Sequence, residues 1–181
     1  ERPEKILAAC QALAPHLTHV ALAGADPEKN VPIGFWMHRG CVPFVSPEHF
    51  KKYNWSTLKP IIEEIYSHGH QVLFYAEGKW DAHLKSFLEL PAGSIVYHVD
   101  QGDIFKVHRT IGHKFCISGG VPNYLLGRGT PQEVRETCKK IIDGVAGDGG
   151  YIMDASAIIQ NDARIENVKA MTEFTREYGV Y

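Results

Sequence analysis

Apolar and polar positions along the chain fall into blocks, and the blocks change period. From Thr130 onward, Val134, Cys138, Ile141, Ile142 and Val145 recur at helical spacing. The start of that helix is marked as well. Thr130-Pro131-Gln132-Glu133 places a hydroxyl at the cap, proline at the first helical position and glutamate three residues after the cap, the pattern of a capping box. The next apolar burst, Tyr151-Ile152-Met153, is short and lies between Gly149-Gly150 and Asp154, which predicts a strand. A helix over residues 163–178 follows, burying Ile165, Val168, Met171 and Phe174 or Tyr178 and stopping at Gly179.

The same alternation runs through the earlier part. Residues 3–14 predict a helix with Ile6, Leu7, Cys10 and Leu13 on one face, and residues 20–23 a strand. A helix over residues 56–68 turns Leu58, Ile61, Ile62 and Ile65 inward and ends at Gly69. Strands over residues 71–75, 94–99 and 114–118 alternate with short helices over residues 81–88 and 103–111. The cores of these strands, Val72-Leu73-Phe74-Tyr75, Ile95-Val96-Tyr97 and Phe115-Cys116-Ile117, are nearly continuous apolar runs. Strands covered on both faces need that, so the sheet is expected to be parallel and the fold class α/β.

About five βα units emerge, whereas a closed eight-stranded barrel takes ~250 residues. The expectation is therefore one partial barrel domain over residues 1–181, the carboxy-terminal half of a (β/α)8 barrel. Only residues 24–47 break the alternation, as one long irregular loop. The chain starts at Glu1 without a methionine, as expected of a processed, trimmed or expressed fragment.

Composition narrows the partners. With 44% hydrophobic residues, 22% charged residues and a net charge of -2, the chain has no basic run or stripe for nucleic acid. Glu1-Arg2-Pro3-Glu4 lacks the apolar core of a signal peptide, and no uninterrupted apolar stretch reaches the length of a membrane span. Cys10, Cys41, Cys116 and Cys138 show no zinc-knuckle or CxxC spacing, and Cys116 and Cys138 sit on apolar faces as small hydrophobes. A cytoplasmic protein with reduced cysteines, touching neither nucleic acid nor membrane, is the expectation.

In a parallel βα fold, residues just beyond the carboxyl ends of the strands line the active site. Those positions here hold Glu77 after the 71–75 strand, His98 and Asp100 at the 94–99 strand, Gly119, Gly120 and Asn123 after the 114–118 strand, and Asp154 after Met153. His98 and Asp100 alternate across Val99 and so project to one side. A carboxylate beside an imidazole can orient it, raise its basicity or share a metal with it. Gly119-Gly120 would let a ligand approach the backbone closely, or simply make a tight turn. In the irregular loop, Phe35-Trp36-Met37-His38-Arg39-Gly40-Cys41-Val42-Pro43-Phe44 reads as a lid or substrate wall, with Arg39 able to pair with a substrate carboxylate.

Four stretches give the chain a family resemblance. Val45-Ser46-Pro47-Glu48-His49-Phe50 with Pro60 is similar to a serine-proline motif opening the helix before a central strand. Val72-Leu73-Phe74-Tyr75-Ala76-Glu77-Gly78 is similar to a strand ending in a polar residue and glycine. Gly119-Gly120-Val121-Pro122 with Gly129-Thr130-Pro131-Gln132-Glu133-Val134 forms the third, and Gly149-Gly150-Tyr151-Ile152 with Glu166-Asn167-Val168-Lys169-Ala170-Met171 the last. In this order and spacing they resemble the carboxy-terminal half of the uroporphyrinogen decarboxylase superfamily, which includes the corrinoid-dependent methyltransferases.

The resemblance implies half of a TIM-type barrel and two enzyme chemistries. Methyltransferases of the superfamily that act on coenzyme M hold zinc through a histidine and a cysteine on the strand matching residues 74–78, and a cysteine after the last strand. Tyr75, Glu77 and Asp154-Ala155-Ser156-Ala157 stand in those places, so that thiolate set is absent. Related O-demethylase methyltransferases use a Glu-x20-His arrangement, and Glu77 and His98 stand at that spacing. On this reading Glu77 and His98 would ligate zinc, Asp100 or Asp154 would complete or orient the site, and a corrinoid on a separate protein would take the methyl group. The alternative is metal-free decarboxylation of an acidic tetrapyrrole, as in porphyrin biosynthesis, with Asp100 or Asp154 stabilising a protonated pyrrole and His38 or Arg39 contacting carboxylates. A third alternative is a non-catalytic partial-barrel binding module. Either chemistry implies a small-molecule substrate and either the missing half-barrel or a homodimer to close the sheet.

Overall fold

The computed structural model describes residues 2–180. Five strands form one all-parallel sheet in the order β1-β2-β3-β4-β5: β1 Ile33–Trp36, β2 Val72–Ala76, β3 Ile95–Val99, β4 Cys116–Val121 and β5 Tyr151–Ala155. The helices between them are α1 Pro3–Ala23, α2 Pro47–His49, α3 Ser56–Ser67, α4 Leu84–Phe87, α5 Ile104–Val107, α6 Asn123–Arg128, α7 Pro131–Val145 and α8 Ile165–Tyr178. Sequential parallel order with a crossover at each step is the connectivity of a TIM-type barrel. The sheet does not close, so β1 and β5 are edges.

Pleating divides the strands into two sets. Phe35, Phe74, Tyr97, Ile117 and Tyr151 stand in one register row across the sheet. Phe74, Tyr97 and Ile117 are fully buried there. The helical layer covers them: Phe87 of α4 meets the Phe74 and Tyr97 rings edge-on at 4.7 and 5.1 Å, and Trp55 in turn meets Phe87 at 5.1 Å. The next row, Trp36, Tyr75, His98, Ser118 and Ile152, points the other way, toward what would be the barrel interior. His98 and Ser118 are buried in its middle, while Trp36 and Ile152 at the two edges are 54% and 51% exposed.

Several elements follow their sequence signals. Thr130 caps α7 with both halves of a capping box, Glu133 N–H donating to its hydroxyl at 3.3 Å and Thr130 N–H donating to the Glu133 carboxylate at 2.7 Å. Ser46 caps α2, accepting from His49 N–H at 3.2 Å, and the chain then runs through a π-helical stretch, Phe50–Trp55, into α3.

Other expectations are corrected. Residues 20–23 are not a strand; α1 continues through Pro15 to Ala23. A proline that far inside a helix removes one backbone hydrogen bond, and the Thr18 hydroxyl, donating to Ala14 O at 3.0 Å, occupies a carbonyl in the same turn. By length and composition α1 is apolar enough to cross a membrane, with a mean hydropathy of 1.4, which sequence inspection overlooked. Thr18 is nevertheless buried, and Ala21 and Leu22 pack against the core. The first strand lies inside the supposed irregular loop, as β1. Gly119 and Gly120 belong to β4, and Asp154 belongs to β5 rather than following it. In α8, Asn167, Ala170 and Met171 are buried while Ile165 is exposed, so the buried stripe is rotated from the expected one. The Asn167 amide accounts for this, donating to the carbonyls of Leu126 and Gly129 at 2.9 Å each and Leu125 at 3.3 Å, where they end α6.

Candidate active site

Three adjacent strands bring three rings together on the inner face. Tyr75 lies between Trp36, at 4.5 Å between ring centroids, and His98, at 4.2 Å and within 9° of parallel. Stacked pairs of this kind are worth ~0.5–1.5 kcal/mol each beyond area burial, so the rings fix one another. Burial, reinforced by Asp154, Asp100 and Glu77, pushes the Tyr75 hydroxyl up to about 12. It therefore stays protonated at neutral pH, a neutral donor among three carboxylates.

His98 is held by both ring nitrogens. Nδ1 lies 2.9 Å from the Ser118 hydroxyl and Nε2 meets the Ser156 carbonyl. A carbonyl only accepts, so Nε2 carries the hydrogen and the neutral ring's Nδ1 accepts from Ser118. Ser156 is positioned in turn by its N–H and hydroxyl, which donate to Val121 O at 2.8 and 3.0 Å. Burial lowers the His98 pKa, with the Ser156 carbonyl, Asp154 and Asp100 opposing.

The carboxylates occupy the strand tips around these rings. Asp100 accepts from Gly78 N–H at 2.7 Å. Burial nevertheless raises its pKa, helped by nearby Glu77 and opposed by the Gly78 bond and His98. Glu77 forms an ion pair with His38, which joins the tips of β1 and β2. Asp154 stands 3.9 Å from His98 Nδ1 and accepts from Ala155 N–H at 2.7 Å. A cleft of about 540 Å³ opens beside them, lined by Glu77, Asp100, Gly120, Asn123, Tyr124 and Ser156. The Asn123 amide donates to Ile158 O at 3.0 Å, and its carbonyl oxygen is buried without a partner.

The structure thus gathers Glu77, His38, Asp100, His98 and Asp154 at one end of the sheet, with Gly120 and Asn123 on the cleft wall. Arg39 lies on the outer rim. Gly119 and Gly120 both have left-handed φ, 90° and 97°. What crowds them is protein: the Val99 carbonyl at Gly119 and the Ile104 side chain at Gly120. Sequence reading gives Trp36 only as part of a lid or substrate wall and assigns no site role to Tyr75, Ser118 or Ser156. The alternation of β2 could have found Tyr75, since it lies between the buried core positions Phe74 and Ala76 and so faces the other side of the sheet.

The donor set does not suit zinc as arranged. Both His98 nitrogens are taken by protein groups, Glu77 pairs with His38, and among the described residues no three His, Cys, Asp or Glu side chains stand together as a ligand set.

Buried neutral histidines give the fold a pH dependence. His83 is buried against Phe50 at 4.1 Å with Nε2 unpartnered, and burial lowers its pKa as it does that of His98. A histidine whose folded pKa lies below its unfolded value of about 6.5 binds more protons unfolded, so stability is full above about pH 6.5 and falls as pH drops toward the folded value. Asp100, with its raised pKa, opposes this as it protonates at lower pH. His83→Phe should therefore raise the melting temperature relative to wild type more at about pH 5.5 than at about pH 7.5. Equal differences at both pH values in a thermal-shift measurement would remove His83 from the account.

Comparison with known proteins agrees with this architecture. The sequence model of the uroporphyrinogen decarboxylase (URO-D) family matches residues 2–178, α1 included. No curated protein matches the chain in sequence. Among solved structures, a methyltransferase from Methanosarcina mazei superposes with a TM-score of 0.69 at 18% sequence identity, over 98% of this chain and 48% of that one. At that identity the likeness concerns the fold. The chain spans about half the length of that relative.

Proposed function

Because this chain belongs to the uroporphyrinogen decarboxylase family, we propose that it is the carboxy-terminal half of an enzyme that moves a methyl group from a small O- or N-methyl donor to a corrinoid protein. The supporting observation is the Glu77–His38 pair at the tips of β1 and β2. A methyl donor of this kind loses its methyl group only as its oxygen or nitrogen gains a proton or an equivalent charge partner. Glu77 and His38 stand in direct contact at the strand tips, and an acid–base pair in that position can deliver a proton to the leaving atom. Tyr75 adds a second, neutral donor on the inner face. His98, locked by Ser118 and Ser156, positions the Tyr75 ring. A corrinoid carried on a separate protein would supply the nucleophile that accepts the methyl group. No step here requires zinc.

Decarboxylation is the second reading, and Asp100 favours it. A carboxyl whose pKa is raised by burial can protonate the carbon that loses carbon dioxide. The two readings separate in one set of assays on the full-length protein. Methyl transfer to free reduced corrinoid, followed by its visible absorbance, should occur with at least one O-methyl or N-methyl donor. Glu77→Gln should then lower kcat by about 10²–10⁴-fold with little change in KM. Full activity in Glu77→Gln, or release of carbon dioxide from an acid substrate with no methyl transfer from any donor, would overturn the proposal.

A further inference from the structure

The segment between β1 and α2 is packed more firmly than a solvent loop requires. Gly40 lies against the Trp80 indole so closely that a Cβ there would stand 2.6 Å from the ring. Cys41 is buried, with its sulfur 2.5 Å from where a Cβ on Gly78 would be. Val42 N–H donates to Lys79 O at 3.3 Å. Arg39, just before these anchors, holds a left-handed φ of 55°, an uncommon conformation for a non-glycine residue.

The anchored loop and the turn after β2 enclose a cleft of about 500 Å³ next to the strand-end site. Arg39, Lys79 and Glu77 are its charged residues, and Val42, Pro43 and Phe44 its apolar wall. Glu77 already pairs with His38. Neither Arg39 nor Lys79 forms an ion pair among the described residues; the Arg39 guanidinium lies over the Phe44 ring, 5.9 Å from its centroid. Two cationic side chains thus stand at this cleft without an acidic partner of their own, in a chain whose net charge is -2. Cationic groups beside an apolar wall match an organic anion with an apolar body better than inorganic phosphate, which has none.

We infer that this cleft binds the carboxylate of a small organic acid through Arg39 and Lys79, with the acid's apolar body against Val42, Pro43 and Phe44. The arginine fork suits a planar carboxylate, and Lys79 adds a point charge. The far end of such a molecule lies toward Glu77 and Asp100. That makes the cleft the element selecting carboxylated substrates; this last step rests on the methyl-transfer reading, whereas the binding does not.

Calorimetric titration of this chain at low ionic strength, with benzoate, benzamide and inorganic phosphate as probes, tests it directly. Benzoate should bind with a Kd of about 1 mM, and benzamide, lacking the charge, about tenfold more weakly. Arg39→Gln and Lys79→Gln should each weaken benzoate binding, together by about tenfold or more, while the remote surface variant Lys52→Gln leaves it unchanged. All three positions are exposed, and circular dichroism would verify that each variant keeps its fold. Benzamide binding as tightly as benzoate, phosphate binding more tightly than benzoate, or indifference to Arg39→Gln/Lys79→Gln would each overturn the assignment. Methyl transfer failing with benzoate binding intact would reject the Glu77 chemistry alone. Methyl transfer persisting without benzoate binding would reject the cleft alone.

Discussion

Taken alone, the chain is expected to self-associate and to turn over at less than about 1% of the rate of a completed barrel. Both outcomes follow from where the sheet stops. The outward edges of β1 and β5 bear backbone N–H and C=O groups that no neighbouring strand pairs, and a parallel edge of that kind is a template for another chain. The inner face is apolar at those same edges, with Trp36 and Ile152 half-exposed. On the opposite side, Ile6, Leu13, Leu17 and Val20 of α1 are more than half exposed. Apolar surface in several contiguous places is unusual for a monomer in water. The chain spans 48% of the methyltransferase it superposes on, and a second half of similar length would cover these surfaces. Without that cover, water reaches Glu77, Asp100 and Asp154 freely. In water a charge–charge contact at 4 Å is worth about 1 kcal/mol, against several at a protein-like dielectric, so stabilisation of charge in the transition state is largely lost. Size-exclusion chromatography with an activity assay, with and without an amino-terminal half supplied in trans, measures both effects. A monodisperse monomer with full activity would reject the half-barrel account.

Legibility from sequence followed the strength of the local signal. The α7 cap and the β2 and β3 strands combine several cues each, and the structure reproduces them. Residues 20–23 are apolar throughout and open on a β-branched valine, which suggests a strand, yet no breaker separates them from the helix before them except Pro15, which the helix tolerates. The true first strand, Ile33–Trp36, has four residues, a glycine and one half-exposed face, so neither length nor alternation marks it. That omission carried through to the site. Strand-end reasoning brought Glu77, His98, Asp100 and Asp154 to one end of the sheet. It does not give Glu77 its partner, because the sequence shows no strand before His38, whereas His38 stands just beyond the tip of a strand next to β2. Spacing pointed to Glu77 with His98, whereas the register stacks His98 on Tyr75 and turns its nitrogens to Ser118 and Ser156. A distance along the sequence does not say which atoms of a ring are free.

Gly119→Ala is expected to destabilise the fold by about 3–5 kcal/mol, more than any substitution on the rim. Gly119 is the fourth residue of β4 and not a turn glycine, paired with Val99 on one side and Met153 on the other. Its φ of 90° lies beyond the region that L-residues enter readily. A Cβ there would collide with the Val99 carbonyl and come within 3.2 Å of His98 Cε1 and Val99 N. Backbone atoms in the middle of a sheet cannot swing aside as a side chain does, so β3 and β4 would have to part. Parting them strains the His98–Ser118 bond, and it also moves the Gly119 carbonyl that accepts from the Tyr151 hydroxyl at 2.8 Å. Left-handed strain contributes ~1–3 kcal/mol and overpacking a further ~1–3 kcal/mol. For a domain of this size that corresponds to a fall in Tm of roughly 10 °C. Gly147→Ala is the matched control, because nothing stands within 4 Å of its added methyl group. Thermal melts of the two variants should differ by that interval, with Gly147→Ala near wild type. If Gly119→Ala melts with the control, the close approach of β3 to β4 is not what requires glycine at this position.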